Sequence, residues 1–109
     1  MATKANLFID QGTTFTTSIT LTDDEDNPID LTNYTGVAQI RKYYTSSTYT
    51  PFVVTLGGTT GVVILTLSAT TTSGLSAGRY VYDCEVTSDV GVVSRVVEGI
   101  ITVNPQVTR

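Results

Sequence analysis

Few residues in this chain can do chemistry, and the missing types decide more than those present. There is no histidine and one cysteine. Without an imidazole the Ser-His-Asp and Cys-His relays are unavailable, because they need a base that changes charge near neutral pH. The same absence removes the commonest nitrogen ligand of zinc, and one thiol cannot build a Cys/His metal site. Carboxylates are present in strand-like segments as Asp83, Glu85 and Glu98. No spacing sets two of them across a scissile bond as glycoside hydrolysis requires. Alternation instead places Asp83 and Glu85 opposite Tyr82 and Cys84, and pairs Glu98 with Ser94 on a solvated face. Cys84 shares a face with Tyr80 and Tyr82 and reads as an inert core thiol; the nearest cation, Arg79, points the other way. No catalytic residue and no cofactor is expected.

The acidic run Asp23-Asp24-Glu25-Asp26-Asn27 is the one candidate ion site. Calcium takes carboxylate and carbonyl oxygens, and the spacing Asp23, Glu25, Asn27 loosely matches a calcium loop. The central glycine and the distant bidentate glutamate of such a loop are missing. A turn kept acidic to stay solvated is the favoured reading, and no metal is expected.

Aromatics carry the best contact signal. Tyr43, Tyr44, Tyr49 and Phe52 gather around residues 45–50, with Arg41 and Lys42 beside them. Aromatic and arginine side chains are enriched where binding energy concentrates. Arg41, Tyr43, Tyr44, Tyr49 and Phe52 are therefore the interface candidates. In the alternative reading two of the aromatics point inward and the others cover an edge.

Charge narrows the partners. The net charge is −4 and the pI about 4.4, with six scattered basic residues. Binding phosphates means replacing condensed counterions with Lys and Arg, so neither nucleic acid nor an anionic membrane is expected as a partner. No apolar run reaches membrane-spanning length, and the N-terminus lacks a signal-peptide layout. Synthesis and folding in a cytoplasm follow as the expectation, and the single Cys84 agrees with a reducing compartment.

These side chains must be positioned by strands. Threonine is roughly a fifth of the chain and valine is abundant; β-branched residues suit a pleated surface. Residues 14–22 alternate, with Phe15, Thr17, Ile19 and Leu21 on one face. Residues 6–10, 36–44, 51–56, 62–67, 79–86 and 92–103 are the other strands, the last with a bulge expected near Gly99. Ala38 and Ile40 point inward; Ile29, Leu31 and Tyr34 re-enter the core. Residues 51–56 and 62–67 form a hairpin across Gly57-Gly58-Thr59-Thr60-Gly61. Ser68 caps one short helical turn. About seven strands at hairpin spacing predict one domain over 1–109: an all-β, antiparallel two-sheet immunoglobulin-like sandwich with no internal disulfide. Ala77-Gly78-Arg79-Tyr80 supports this, resembling the corner where a tyrosine at the start of a late strand hydrogen-bonds back to backbone. Position 82 is tyrosine rather than cysteine and tryptophan is absent, which excludes an antibody-type core.

Three stretches carry a family resemblance: Phe8-Ile-Asp-Gln-Gly-Thr-Thr-Phe15; Pro28-Ile-Asp-Leu-Thr-Asn-Tyr-Thr-Gly36 with Ala38-Gln-Ile-Arg-Lys42; and Leu75-Ser-Ala-Gly-Arg-Tyr-Val-Tyr-Asp83. In order and spacing they resemble small β-sandwich virion structural proteins of tailed bacteriophages, including those of cyanobacterial phages. The resemblance spans nearly the whole chain and rests on turn and strand chemistry. It implies a non-enzymatic component of the capsid surface, neck, tail or baseplate, located in the virion and partnered by other virion proteins and copies of itself. The sheet edges at residues 6–10 and 92–103 are expected docking sites for a neighbour's strand. The alternative from another class is a carbohydrate- or cell-surface-binding module, with Tyr43, Tyr44 and Tyr49 stacking on sugar.

Overall fold

The computed structural model describes residues 3–107. The reading of the N-terminus rests partly on Met1 and Ala2, which lie outside the described residues. In chain order the elements are β1 (Thr3–Lys4), β2 (Leu7–Asp10), β3 (Phe15–Thr20), β4 (Thr35–Arg41), β5 (Thr50–Pro51), β6 (Val53–Leu56), β7 (Val62–Leu67), helix α1 (Ala69–Ser73), β8 (Gly78–Thr87) and β9 (Val93–Asn104). A 3-10 turn at Gly58–Thr60 links β6 to β7. β1 and β2 share one register on β9, Thr3 facing Val97 and Leu7 facing Ile101, so they are two pieces of a single strand. β5 and β6 likewise form one run, which leaves the expected seven strand segments.

Two sheets pack face to face. The larger runs β1/β2–β9–β8–β4–β5 and the smaller β3–β7–β6. This is an immunoglobulin-like sandwich. Its core is built from Ile9, Ala38, Ile40, Tyr82, Cys84, Val97, Ile101 and Val103 from one sheet, Val63, Leu65 and Leu67 from the other, with Leu21 and Leu31 beside them; Ala38, Ile40, Tyr82, Cys84, Leu21 and Leu31 are among those read from the sequence. Phe15 and Ile19 pack against it.

Four expectations need correcting. The pairing is not wholly antiparallel, because β1 and β2 run parallel to β9; the chain crosses between sheets before β3, so the first strand meets the last in the same direction. Residues 92–103 are not a sheet edge throughout: from Val97 on β9 is held between β8 and β1/β2, and among the described residues only its start, residues 93–96, pairs with β8 alone. The run at residues 51–56 does not stay in one sheet: β5 pairs with β4 and β6 with β7, and Phe52 between them turns inward, 6 % exposed. The bulge falls at Val96, not Gly99, because Cys84 faces Val97 while Glu85 faces Arg95. Gly99 serves a different need. A Cβ there would collide with the Ala5 carbonyl oxygen, so glycine lets the first strand lie close where its ladder breaks.

Strand direction then sorts the loops into two ends. Loops 21–34, 57–61 and 88–92 lie at one; loops 11–14, 42–49 and 68–77 lie at the other. β8 spans ten residues between them, about 30 Å of rise.

Candidate functional site

The expected contact residues sit where β4 runs out. The Arg41 guanidinium donates through Nη1 to the Ser46 carbonyl (2.5 Å) and through Nη2 to Gln39 Oε1 (3.0 Å). Its carbon lies 4.9 Å from the centroid of the Tyr49 ring. A guanidinium over an aromatic face is attracted to the ring quadrupole, about 0.5–1 kcal/mol where solvent reaches it. Next to it, Lys42 Nζ lies 4.7 Å from the Tyr80 ring centroid. Tyr43, Tyr44 and Tyr49 stand 63 %, 80 % and 51 % exposed. Arg41, Tyr43, Tyr44 and Tyr49 are therefore brought together at one end. Phe52 is not among them. Its ring packs 6.3 Å from Phe15 and 6.1 Å, edge-on, from Tyr82, so it anchors the loop from inside. Of the four aromatics one is core and three are outward.

The neighbouring corner is built differently. Ser68 Oγ accepts from the Thr71 N–H (3.2 Å) and caps α1 as expected. Thr72, fully buried, donates to the Thr13 carbonyl (2.7 Å) and accepts from the Gly12 N–H (3.1 Å). Gln11 Nε2 donates to the Leu75 carbonyl (2.8 Å). The Tyr80 hydroxyl donates to the Ser76 carbonyl (2.7 Å), which is the tyrosine corner anticipated from the Ala77–Tyr80 stretch.

Between the ends, the outer face of the larger sheet carries a groove of about 290 Å³ lined by Gln39, Arg41, Tyr44, Val81, Asp83, Arg95 and Glu98. Sequence reasoning did not assemble it, and the bulge explains why. Residues 95 and 98 would face opposite ways in a regular strand; the extra residue Val96 brings both outward. Asp83 and Glu98 are direct cross-strand neighbours, a like-charge pair. Arg95 relieves it, with Nε 3.2 Å from Asp83 Oδ2 and Nη1 3.5 Å from Glu98 Oε2. The guanidinium side chain is half exposed, so these pairs add little stability. Glu98 is thus paired with Arg95 rather than alternating with Ser94.

The 23–27 run is a closed turn. Asp23 Oδ1 accepts from the Glu25 and Asn27 N–H groups (2.9 and 3.0 Å), and Asp26 takes a left-handed backbone at φ 63°. The geometry of the turn accounts for its Asp and Asn content. Among the described residues no group of three His, Cys, Asp or Glu is placed to hold a metal. Asp30 nearby has its carboxyl held below the usual range by the Thr32 hydroxyl and then the Thr32 N–H.

Cys84 is buried, and its thiol is pushed up to about 11 by burial, with the flanking Asp83 and Glu85 charges adding to it. Tyr82 is raised to about 12, first by burial and then by Cys84. A thiol kept protonated is a poor nucleophile. No helix of the described residues is long and apolar enough to cross a membrane.

The site is thus a set of loop side chains and one shallow groove on an immunoglobulin-like scaffold. No family model and no curated protein sequence matches the chain. Among solved structures, the Listeria monocytogenes internalin-like protein lmo2027 is similar at a TM-score of 0.50 and 19 % identity, over 94 % of this chain and 28 % of that one. A family 123 glycoside hydrolase from Clostridium perfringens is similar at a TM-score of 0.44 and 12 % identity, over 97 % of this chain and 24 % of that one. The chain thus spans about a quarter of either. The first likeness supports the sandwich fold and nothing finer.

Proposed function

We propose that this chain is a non-catalytic assembly protein of a tailed-bacteriophage particle, a capsid decoration or a neck, tail or baseplate component, that binds its neighbours through the Arg41–Tyr49 end. The virion assignment follows the sequence resemblance. The observation that carries the assembly reading is the tyrosine loop: three tyrosines largely exposed on a loop whose base is fixed by Arg41 and by buried Phe52. Exposed aromatic rings on a held backbone bind with little loss of side-chain freedom, which is the economy of an interface anchor. Light scattering over a concentration series, with and without the particle proteins of a candidate phage, is the test. Association that Tyr43→Ala with Tyr44→Ala abolishes supports the reading. A monomer at every concentration with no affinity for any particle protein overturns it.

A second reading is favoured by the groove. Tyr44 stands at the rim of a cleft whose floor offers carboxylates, guanidinium groups and an amide, the donor and acceptor set that orients a sugar below a stacking ring. A glycan screen tests it; binding lost in Tyr44→Ala but kept in Tyr49→Ala supports this reading, since Tyr49 is not part of the groove lining and is occupied by Arg41.

A further inference from the structure

The two ends of the sandwich carry opposite charge. The loops at one end hold Asp23, Asp24, Glu25, Asp26, Asp30 and Asp89, all exposed, six of the ten carboxylates of the chain. No lysine or arginine occurs in those loops. The other end holds Arg41, Lys42 and Arg79, three of the six basic residues, beside the outward tyrosines. Arg41 faces Val81 across the ladder, which sets Arg79 diagonally beside it on the same face. Among the described residues the ion pairs are those of Arg95 alone, so none of these three cations is neutralised by a carboxylate. Asp10 at that end is bonded by Asn104, and Asp83, the other diagonal neighbour of Arg41, is paired with Arg95.

The molecule is 43 Å long and 27 by 21 Å across. Its ends lie about 30 Å apart along the strands, several Debye lengths at physiological salt, where screening acts over about 8 Å. The ends therefore cannot neutralise each other within one molecule. They can do so between molecules.

We propose that the Arg41–Lys42–Arg79 end receives the acidic 23–26 turn of a second copy of this chain, so that copies add head to tail. The inference rests on the assembly reading above and names the partner of that same end. Charge complementarity selects the occupant: the basic end stands beside outward tyrosines, and the exposed acidic turn has its backbone held by Asp23. Such an interface is heterologous, using two different patches. It closes into a ring when the rotation per copy allows and extends as a filament when it does not.

The test is sedimentation velocity of the chain and two neutralised variants, Asp24→Asn with Glu25→Gln and Lys42→Gln with Arg79→Gln. These side chains are exposed, and circular dichroism checks that each variant folds. The wild type is expected to associate at about 0.01 M salt and to dissociate at about 1 M, where the Debye length falls from about 30 to 3 Å. Each variant alone is expected to associate at least about tenfold more weakly. Mixed together they are expected to form one-to-one dimers and nothing larger, because only one intact pair of ends remains. A mixture that stays monomeric, or a wild type monomeric at low salt, overturns the proposal. Association lost in the basic-end variant but untouched in the acidic-turn variant also overturns it, while leaving the assembly reading standing, since the tyrosine end would then be meeting something else.

Discussion

Two loops at the same end of this sandwich use similar small polar residues for opposite purposes. In the 68–77 corner the polar side chains bond within the fold: Thr72 holds the 11–13 turn, Gln11 bonds Leu75, Ser68 caps α1 and Tyr80 reaches back to Ser76. In the 42–49 loop the backbone is fixed at its base by Arg41, and the tyrosines are left facing outward. Burial separates Thr72 from the outward tyrosines. Thr72 lies under the corner with no water to turn to, so its hydroxyl must be satisfied by protein. Tyr43 and Tyr44 have solvent, and nothing obliges them to bond internally. The first loop secures the fold and the second is available to a partner.

Substitutions that move a side chain across this division should break it, most strongly at Phe52. It joins the tyrosine loop to the core, and Phe52→Ala is expected to cost about 3–5 kcal/mol in a denaturant titration, because it empties the cluster with Phe15 and Tyr82. If the loss is under about 1 kcal/mol, the loop is not anchored there. Next is alkaline pH. The Cys84 pKa rises on folding from 9.0 to about 11, so the folded state favours the protonated thiol. Its contribution is fully present below pH 9 and is lost as pH rises from 9 to 11, with Tyr82 extending the loss toward 12. Cys84→Ala should flatten the 9–11 part of the stability profile; a profile of unchanged slope would mean the thiol is not shielded.

Thr72→Val should cost about 1–3 kcal/mol, since it leaves the Gly12 N–H and Thr13 carbonyl without their partner. Hydrogen exchange should locate the loosening at residues 11–13. Tyr80→Phe removes one bond to Ser76 and should cost about 0.5–1.5 kcal/mol in the same titration. Smallest of all, Tyr44→Ala should change stability by less than about 0.5 kcal/mol. A large loss there would put Tyr44 on the structural side of the division and erase the contrast.

Much of the framework was legible because it is local. Alternation at residues 15–21 and 80–86 set the inward faces, Ser68 announced its helical turn, and Gly78-Arg79-Tyr80 announced the corner. Each depends on residues a few positions apart, where backbone geometry leaves little choice. The tyrosine loop was visible as composition, although Phe52 looked like its neighbours until the chain was seen to change sheets at that residue.

The remainder needed partners distant in sequence. Parallel pairing of the first strand with the last follows from which strand each one meets, and no local pattern encodes that choice. The bulge at Val96 brought Arg95 and Glu98 to one face and made the groove, yet a single inserted residue has no signature in a run of valines. Charge behaved the same way. By itself the sequence determined that the chain is acidic, β-rich and without histidine. Only the tertiary structure decided that six of its ten acids and three of its six bases sit at opposite ends, because the turns of antiparallel strands gather at two poles whatever their order along the chain.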